Sequence, residues 1–287
     1  MSRNNEDRLG APSQPTAPPP QVFDTPESSA DQPFSFVTPT EFVDLPSRGQ
    51  YYPEGHALDG RDSVEIRYMT AKDEDILTSQ SLLKKGLALD RLLQSVIVDK
   101  TIKPNDLLVG DKNAILVAVR ASGYGNDYNT KVTCPVCYTS TDHVYDLSSL
   151  DTNYVDDLES LEATRGPDKT FIVTLPRTKV EVGLRLLTGA DEKKMAHLAE
   201  KKKKNNLPET PLTDQFRMII ASVNGSQNQS HINELINNMP AMDSRYLRHT
   251  YTKLTPNIEL RKMFECPQCG SEEEVMIPFT TEFFWPK

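Results

Sequence analysis

Thr133-Cys134-Pro135-Val136-Cys137-Tyr138 and Glu265-Cys266-Pro267-Gln268-Cys269-Gly270 hold all four cysteines of this 287-residue chain. Zinc favours four soft ligands in a tetrahedron, and Cys-x-x-Cys lets two thiolates grip one ion from a tight turn. Each pair is therefore half a site. Proline after the first cysteine stiffens the turn, and Gly270 permits a change in the sign of φ after the last. Pairing across the chain would place Cys134, Cys137, Cys266 and Cys269 around one ion, although 128 residues separate the pairs. Three rivals stand beside that reading. One is a thioredoxin-like dithiol, whose motif should open a helix after a strand. Another is a pair of incomplete sites, the first borrowing His143. The last is four buried free thiols.

Working outward from the cysteines, the flanks repeat. Strand-like stretches lead into each knuckle, 129–133 and 258–265, and others follow it, 144–147 and 275–279. Asp111 lies 23 residues before Cys134, and Asp243 lies 23 before Cys266. Further upstream, Val64-Glu65-Ile66-Arg67-Tyr68-Met69-Thr70-Ala71-Lys72-Asp73-Glu74 matches Val182-Gly183-Leu184-Arg185-Leu186-Leu187-Thr188-Gly189-Ala190-Asp191-Glu192. Each reads as a strand, an arginine, and a threonine N-cap with carboxylates in the first helical turn, where they complement orphan N–H groups and the helix dipole. The second copy is longer by 14 residues between Arg185 and Asp243, in a Lys- and Asn-rich stretch around 201–214.

The fold class expected is α+β: a duplicated module of strand, helices and β-hairpin zinc knuckle. An approximate twofold closes the copies on a shared four-cysteine zinc ribbon. The expected helices are 71–85, 87–99 and 111–122 in the first copy, and 189–203, 212–223, 230–237 and 243–253 in the second. Copy one spans 39–150 and copy two 171–287. The acidic stretch 151–170 reads as a linker, with a short helix at 154–163. Residues 1–38, rich in Pro, Ser, Gln and Asp, read as a disordered tail that cannot bury enough apolar surface to offset its ordering entropy.

Charge and motifs exclude several functions. Lys and Arg number 32 against 41 Asp and Glu, a net of −9, so the surface as a whole repels phosphate backbones. Lys193, Lys194 and Lys201–Lys204 form the one basic run, with no interleaved aromatic residue, and read as a solvated helix end. No run of 18 apolar residues suggests a membrane span, and no secretory h-region opens the chain. No metalloprotease, nucleophile-elbow or phosphate-loop motif occurs, and the five histidines show no ligand spacing. Gly123-Tyr124-Gly125 reads as a turn after a helix, and Asp73-Glu74-Asp75 as a charged first turn. The chain reads as non-enzymatic, without a small-molecule substrate. Phe279, Phe283, Phe284 and Trp285 near the C-terminus either seal the core or anchor a partner.

Phe42-Val43-Asp44-Leu45-Pro46-Ser47-Arg48-Gly49, Met69–Thr78, Leu89–Asp99 and Leu107 through Cys137 resemble the T4-type bacteriophage baseplate proteins, particularly the hub-assembly subunit of contractile tails. The resemblance is carried best by residues 40–150, while the second copy, ending in Cys-Pro-Gln-Cys-Gly and Phe-Phe-Trp-Pro, looks like a related tail module. It implies a protein made in the host cytoplasm that contacts other baseplate or tail proteins, as a retained virion subunit or a departing chaperone. It supplies no catalytic residues. A zinc-ribbon nucleic-acid binder of viral transcription or packaging is the alternative, opposed by the sequence pI of about 5.2. A thiol oxidoreductase is a third reading. Deleting residues 1–38 is expected to leave the melting temperature nearly unchanged; a large drop in calorimetry would contradict the tail reading.

Overall fold

A computed structural model of the chain describes residues 37–277 and 281–284. Nearly all of the tail read over 1–38, together with Phe279 and Trp285, lies outside the described residues. In chain order, β1 (Thr40–Asp44) and β2 (Ser63–Arg67) form an antiparallel pair. Helices α1 (Ala71–Thr78), α2 (Gln80–Lys84), α3 (Ala88–Val96) and α4 (Val109–Tyr124) follow, then the hairpin of β3 (Asp127–Thr133) and β4 (Ser140–Asp146). Short strands β5 (Thr152–Asn153) and β6 (Ala163–Arg165) lead to β7 (Phe171–Thr174) and β8 (Glu181–Leu184). Helices α5 (Gly189–Lys204) and α6 (Pro211–Ile219), strand β9 (Ile220–Val223), and helices α7 (Gln229–Asn238) and α8 (Ala241–Leu254) come next. The last strands are β10 (Asn257–Ile258) and the hairpin of β11 (Arg261–Glu265) and β12 (Glu272–Met276). The chain is α+β: β6-β7-β8-β9 make a four-stranded antiparallel sheet, and the other strands pair in twos.

Most helices fall where apolar spacing and caps place them, and three stretches differ. The helix expected over 71–85 is interrupted at Ser79, whose ψ of 106° is extended and which both ends α1 and begins α2. Thr78, Ser79 and Ser81 offer hydroxyls that compete with helical hydrogen bonds. The helix expected over 212–223 stops at Ile219, and Ile220–Val223 pairs with β8 instead. Asn224 and Gly225, at φ 48° and 77°, then make the left-handed turn that Asn-Gly favours. The stretch read as a linker is woven into the fold: β5 pairs with β10, β6 pairs with β7, and Val155 and Ala163 are buried. Glu159–Leu161 is one 3-10 turn there, not a longer helix.

The described residues from Thr38 onward fall in one compact unit, and buried residues of both halves belong to one hydrophobic cluster. Helix α4 runs through it with Ala114, Ile115, Leu116, Val117 and Val119 all buried. Gly110 must be glycine, because a Cβ there would overlap the Pro256 carbonyl. Buried Arg120 donates to the carbonyls of Phe283 (2.9 Å), Gly125 (2.7 Å) and Asp127 (3.1 Å), which fixes the C-terminal segment on α4. Phe283 and Phe284 are buried, so these two aromatics seal the chain's own core.

Matching polar contacts occur in both halves. Thr70 and Asp73 close a capping box on α1, as Thr188 and Asp191 do on α5. Arg67 holds Asp73 at 2.8 Å, and Arg185 holds Asp191 at 2.9 Å. Buried Asp111 accepts from Ser47 N–H (2.9 Å), Ser47 Oγ (2.6 Å) and Tyr52 OH (2.7 Å), in the turn after β1. Buried Asp243 accepts from the N–H groups of Arg177 (2.8 Å) and Thr178 (3.0 Å), in the turn after β7. Both turns open on Leu-Pro, at Leu45-Pro46 and Leu175-Pro176.

Burial alone would raise the carboxyls of Asp73 and Asp191, but hydrogen bonds from Arg67 and Thr70, and from Arg185 and Thr188, hold both at about 2. Acids depressed in the folded state stabilise above their unfolded value and lose that contribution as pH falls through the folded one. Each carboxylate contributes about 2 kcal/mol by this linkage. Stability in urea titrations is expected to fall between about pH 4 and pH 2, and less steeply in Asp191→Asn. An unchanged acid slope in that variant would contradict the assignment.

Candidate metal centre

Each cysteine pair sits at the tip of a β-hairpin, and the two tips share one backbone geometry. In the first, Tyr138 N–H donates to Cys134 O (2.9 Å) and Cys134 N–H to Thr139 O (3.0 Å). In the second, Gly270 N–H donates to Cys266 O (2.8 Å) and Cys266 N–H to Ser271 O (2.9 Å). The residue after each second cysteine has positive φ, Tyr138 at 58° and Gly270 at 69°. Glycine was the legible half of that pair; the first turn imposes the same conformation on a tyrosine, which costs more.

The turns bring the four sulfurs together, all within 4.8 Å of one another. Cys134 Sγ lies 3.8 Å from Cys269 Sγ, and Cys137 Sγ lies 3.7 Å from Cys266 Sγ, so two of the close approaches run between the knuckles. Such spacings are far beyond a disulfide bond of about 2 Å, and the four residues can hold one metal ion. Cys134 and Cys266 are buried, Cys137 is half-buried and Cys269 is exposed. His143 is not in the group: its ring packs edge-on against Tyr145 at 4.5 Å and Phe264 at 5.4 Å. Because both motifs join two strands, neither has the helix N-terminus that activates a thioredoxin-like thiol.

Hydroxyl and amide donors surround the sulfurs. Ser271 Oγ lies 3.1 Å from Cys269 Sγ and 3.4 Å from Cys134 Sγ, touching both knuckles. With the N–H groups of Cys137 and Val136 it brings the Cys134 thiol down to about 6. Thr139, the matching residue of the first turn, pulls Cys137 below its usual value through its hydroxyl and its N–H. Cys266 moves the other way: the Cys269 N–H favours its thiolate, but burial and the Cys269 and Cys137 sulfurs outweigh this and push it up to about 11. Four thiolates at this spacing repel one another, and a bound dication removes the conflict. Sequence reading singled out the four cysteines that the fold brings together but missed the hydroxyl shell, whose signal was the Thr139 and Ser271 that follow each motif at the same offset.

Elsewhere, Lys201–Lys204 end α5 as a helix terminus. Lys202 pairs with Asp214 and Lys204 with Glu200. Among the described residues no helix is long and apolar enough to cross a membrane.

The family described as T4 bacteriophage base plate protein matches residues 38–285. The chain belongs to that family. The match takes in both hairpins and the second half, which extends it beyond the resemblance seen over 40–150. Neither the curated proteins nor the solved structures compared with the chain gave a match.

Replacing Ser271 by Ala is expected to weaken metal binding by about tenfold or more, since outer-shell donors tune metal affinity on that scale, with rescue by Ser271→Thr. Cobalt titration followed through thiolate charge-transfer absorption reads the affinity; equal affinities in all three proteins would remove the hydroxyl from the site.

Proposed function

We propose that the chain is a structural or assembly subunit of a phage tail baseplate hub, acting by protein–protein contact. Its halves are copies of one module, tied by a structural zinc on Cys134, Cys137, Cys266 and Cys269. The family match carries the baseplate reading, and the sulfur geometry carries the zinc tie. Zinc–sulfur bonds of about 2.3 Å give tetrahedral edges of about 3.8 Å, and the cross-knuckle sulfur separations are 3.8 and 3.7 Å. The donor set is that of structural zinc, and thiolates with hydroxyl and amide donors suit a bound dication. A closed four-thiolate site leaves no open coordination position, so it stabilises and does not catalyse.

Duplication is supported by the paired capping boxes, the Arg–Asp contacts inside them, the buried aspartates that hold the two Leu-Pro turns, and the twin knuckles. Baseplate family membership supports partners among tail proteins and a site of action in the assembling or finished virion. The hairpins carry exposed Asp142, Glu265, Glu272, Glu273 and Glu274, which opposes a nucleic-acid-binding zinc ribbon.

Quantitative mass spectrometry of purified particles beside infected-cell lysate tests the role. A few copies per tail are expected; abundance in lysate with absence from particles would replace the retained subunit by a departing chaperone. For the metal, Cys266→Ser is expected to lower zinc well below one ion per chain and to destabilise the fold. Full zinc retention in that variant would sink the shared site.

A further inference from the structure

The two hairpins correspond residue for residue: their strand pairings keep one register when 132 is added to every number of the first. Residues opposite each other in an antiparallel ladder point to the same face, and alternate pairs share it. On one face of the second hairpin, Phe264 is buried and packs on His143 of the first. The other face is made of the pairs Arg261–Met276, Met263–Glu274 and Glu265–Glu272, and all six residues are exposed.

The first hairpin shows what folding asks of these positions. There the exposed pairs are Asn129–Val144, Lys131–Asp142 and Thr133–Ser140. Lys131 faces an opposite charge, and the hydroxyls of Thr133 and Ser140 share a hydrogen bond of 2.8 Å. In the second hairpin Arg261 reaches Glu274 at 3.5 Å. Glu265 and Glu272 stand directly opposite each other, and among the described residues no cation pairs with either. Like charges so placed destabilise a ladder. Beside them, Met263 and Met276 are diagonal neighbours, 63 % and 64 % exposed. The first hairpin keeps the same register without either feature, so the hairpin fold itself does not call for them.

We propose that this face of β11 and β12 docks a cationic segment of a partner protein, one that alternates lysine or arginine with apolar side chains. Its cations neutralise Glu265 and Glu272. Its apolar residues cover Met263 and Met276, whose flexible thioethers adapt to an irregular partner. Charge decides the occupant. Residues 1–36 of the chain hold two arginines against five acids, and a second copy brings a net of −9, so neither complements the face. Nucleic acid is repelled. The inference deepens the reading of the chain as a subunit acting by protein–protein contact, and rests on that reading for the class of partner.

Fluorescence anisotropy of a labelled synthetic peptide alternating lysine and valine, titrated with the full chain, tests it beside hydrogen exchange of the complex. The peptide is expected to bind better than its glutamate–valine counterpart and to protect amides within 261–276. Glu265→Thr with Glu272→Ser copies the pair of the first hairpin. It is expected to keep the circular dichroism and melting temperature of wild type, and to bind about threefold more weakly or worse. Met263→Ser with Met276→Ser, at exposed positions, is expected to weaken binding as well. Glu54→Gln with Glu209→Gln removes two exposed charges elsewhere and is expected to leave binding nearly unchanged. No binding, equal loss in that control, or protection outside the hairpin would overturn the proposal. So would protection of 261–276 in the chain alone as its concentration rises, which would put a second copy on the face. Binding is measured on the isolated chain, so its failure removes this face and leaves the subunit reading to the particle measurement.

Discussion

The convergence of two hairpin tips on one point is the constraint on which the rest of the structure depends. Cys137 and Cys266 are separated by 128 residues, yet their sulfurs lie 3.7 Å apart. Everything between them must fold so that both ends return to the same place. A metal ion held by the four cysteines would remove more freedom from the unfolded chain than a local clip, although that advantage grows only slowly with length. Because a preformed site rarely exists in the unfolded chain, binding energy at such a centre is also folding energy.

The cysteine cluster does not act alone. Arg120 gives three hydrogen bonds to carbonyls and holds the C-terminal segment on the central helix, with Phe283 and Phe284 buried beside it. Gly110 lets that helix approach Pro256 closely, and Asn153 donates to the carbonyls of Lys253 and Thr255. Helix α4, the C-terminal segment and the connecting stretch thus add contacts between the halves beyond the cysteines.

Much of this was legible because it is local. Thr70 with Asp73 and Thr188 with Asp191 are caps read from a four-residue pattern, and the two Cys-Pro-x-Cys turns announce the four cysteines that come together. The equal spacing from Asp111 and Asp243 to the cysteines marked two helices, but not that the aspartates would be buried against the Leu-Pro turns, which is a long-range contact. Ile220–Val223 was read as helix because helical spacing ran on past α6; the Asn224-Gly225 turn was the stronger signal, and pairing with β8 decides the outcome. The connecting stretch looked like a linker because it is acidic, while its strands owe their existence to partners, β10 and β7, far away or later in sequence.

The central claim is that one zinc ion joins the halves through four sulfurs. X-ray absorption at the zinc edge of the purified full-length chain, with metal content measured in parallel, tests it most directly. The account predicts one zinc per chain with about four sulfur neighbours at about 2.3 Å and no nitrogen shell. A chain without zinc, or a zinc with histidine or oxygen ligands, would contradict it.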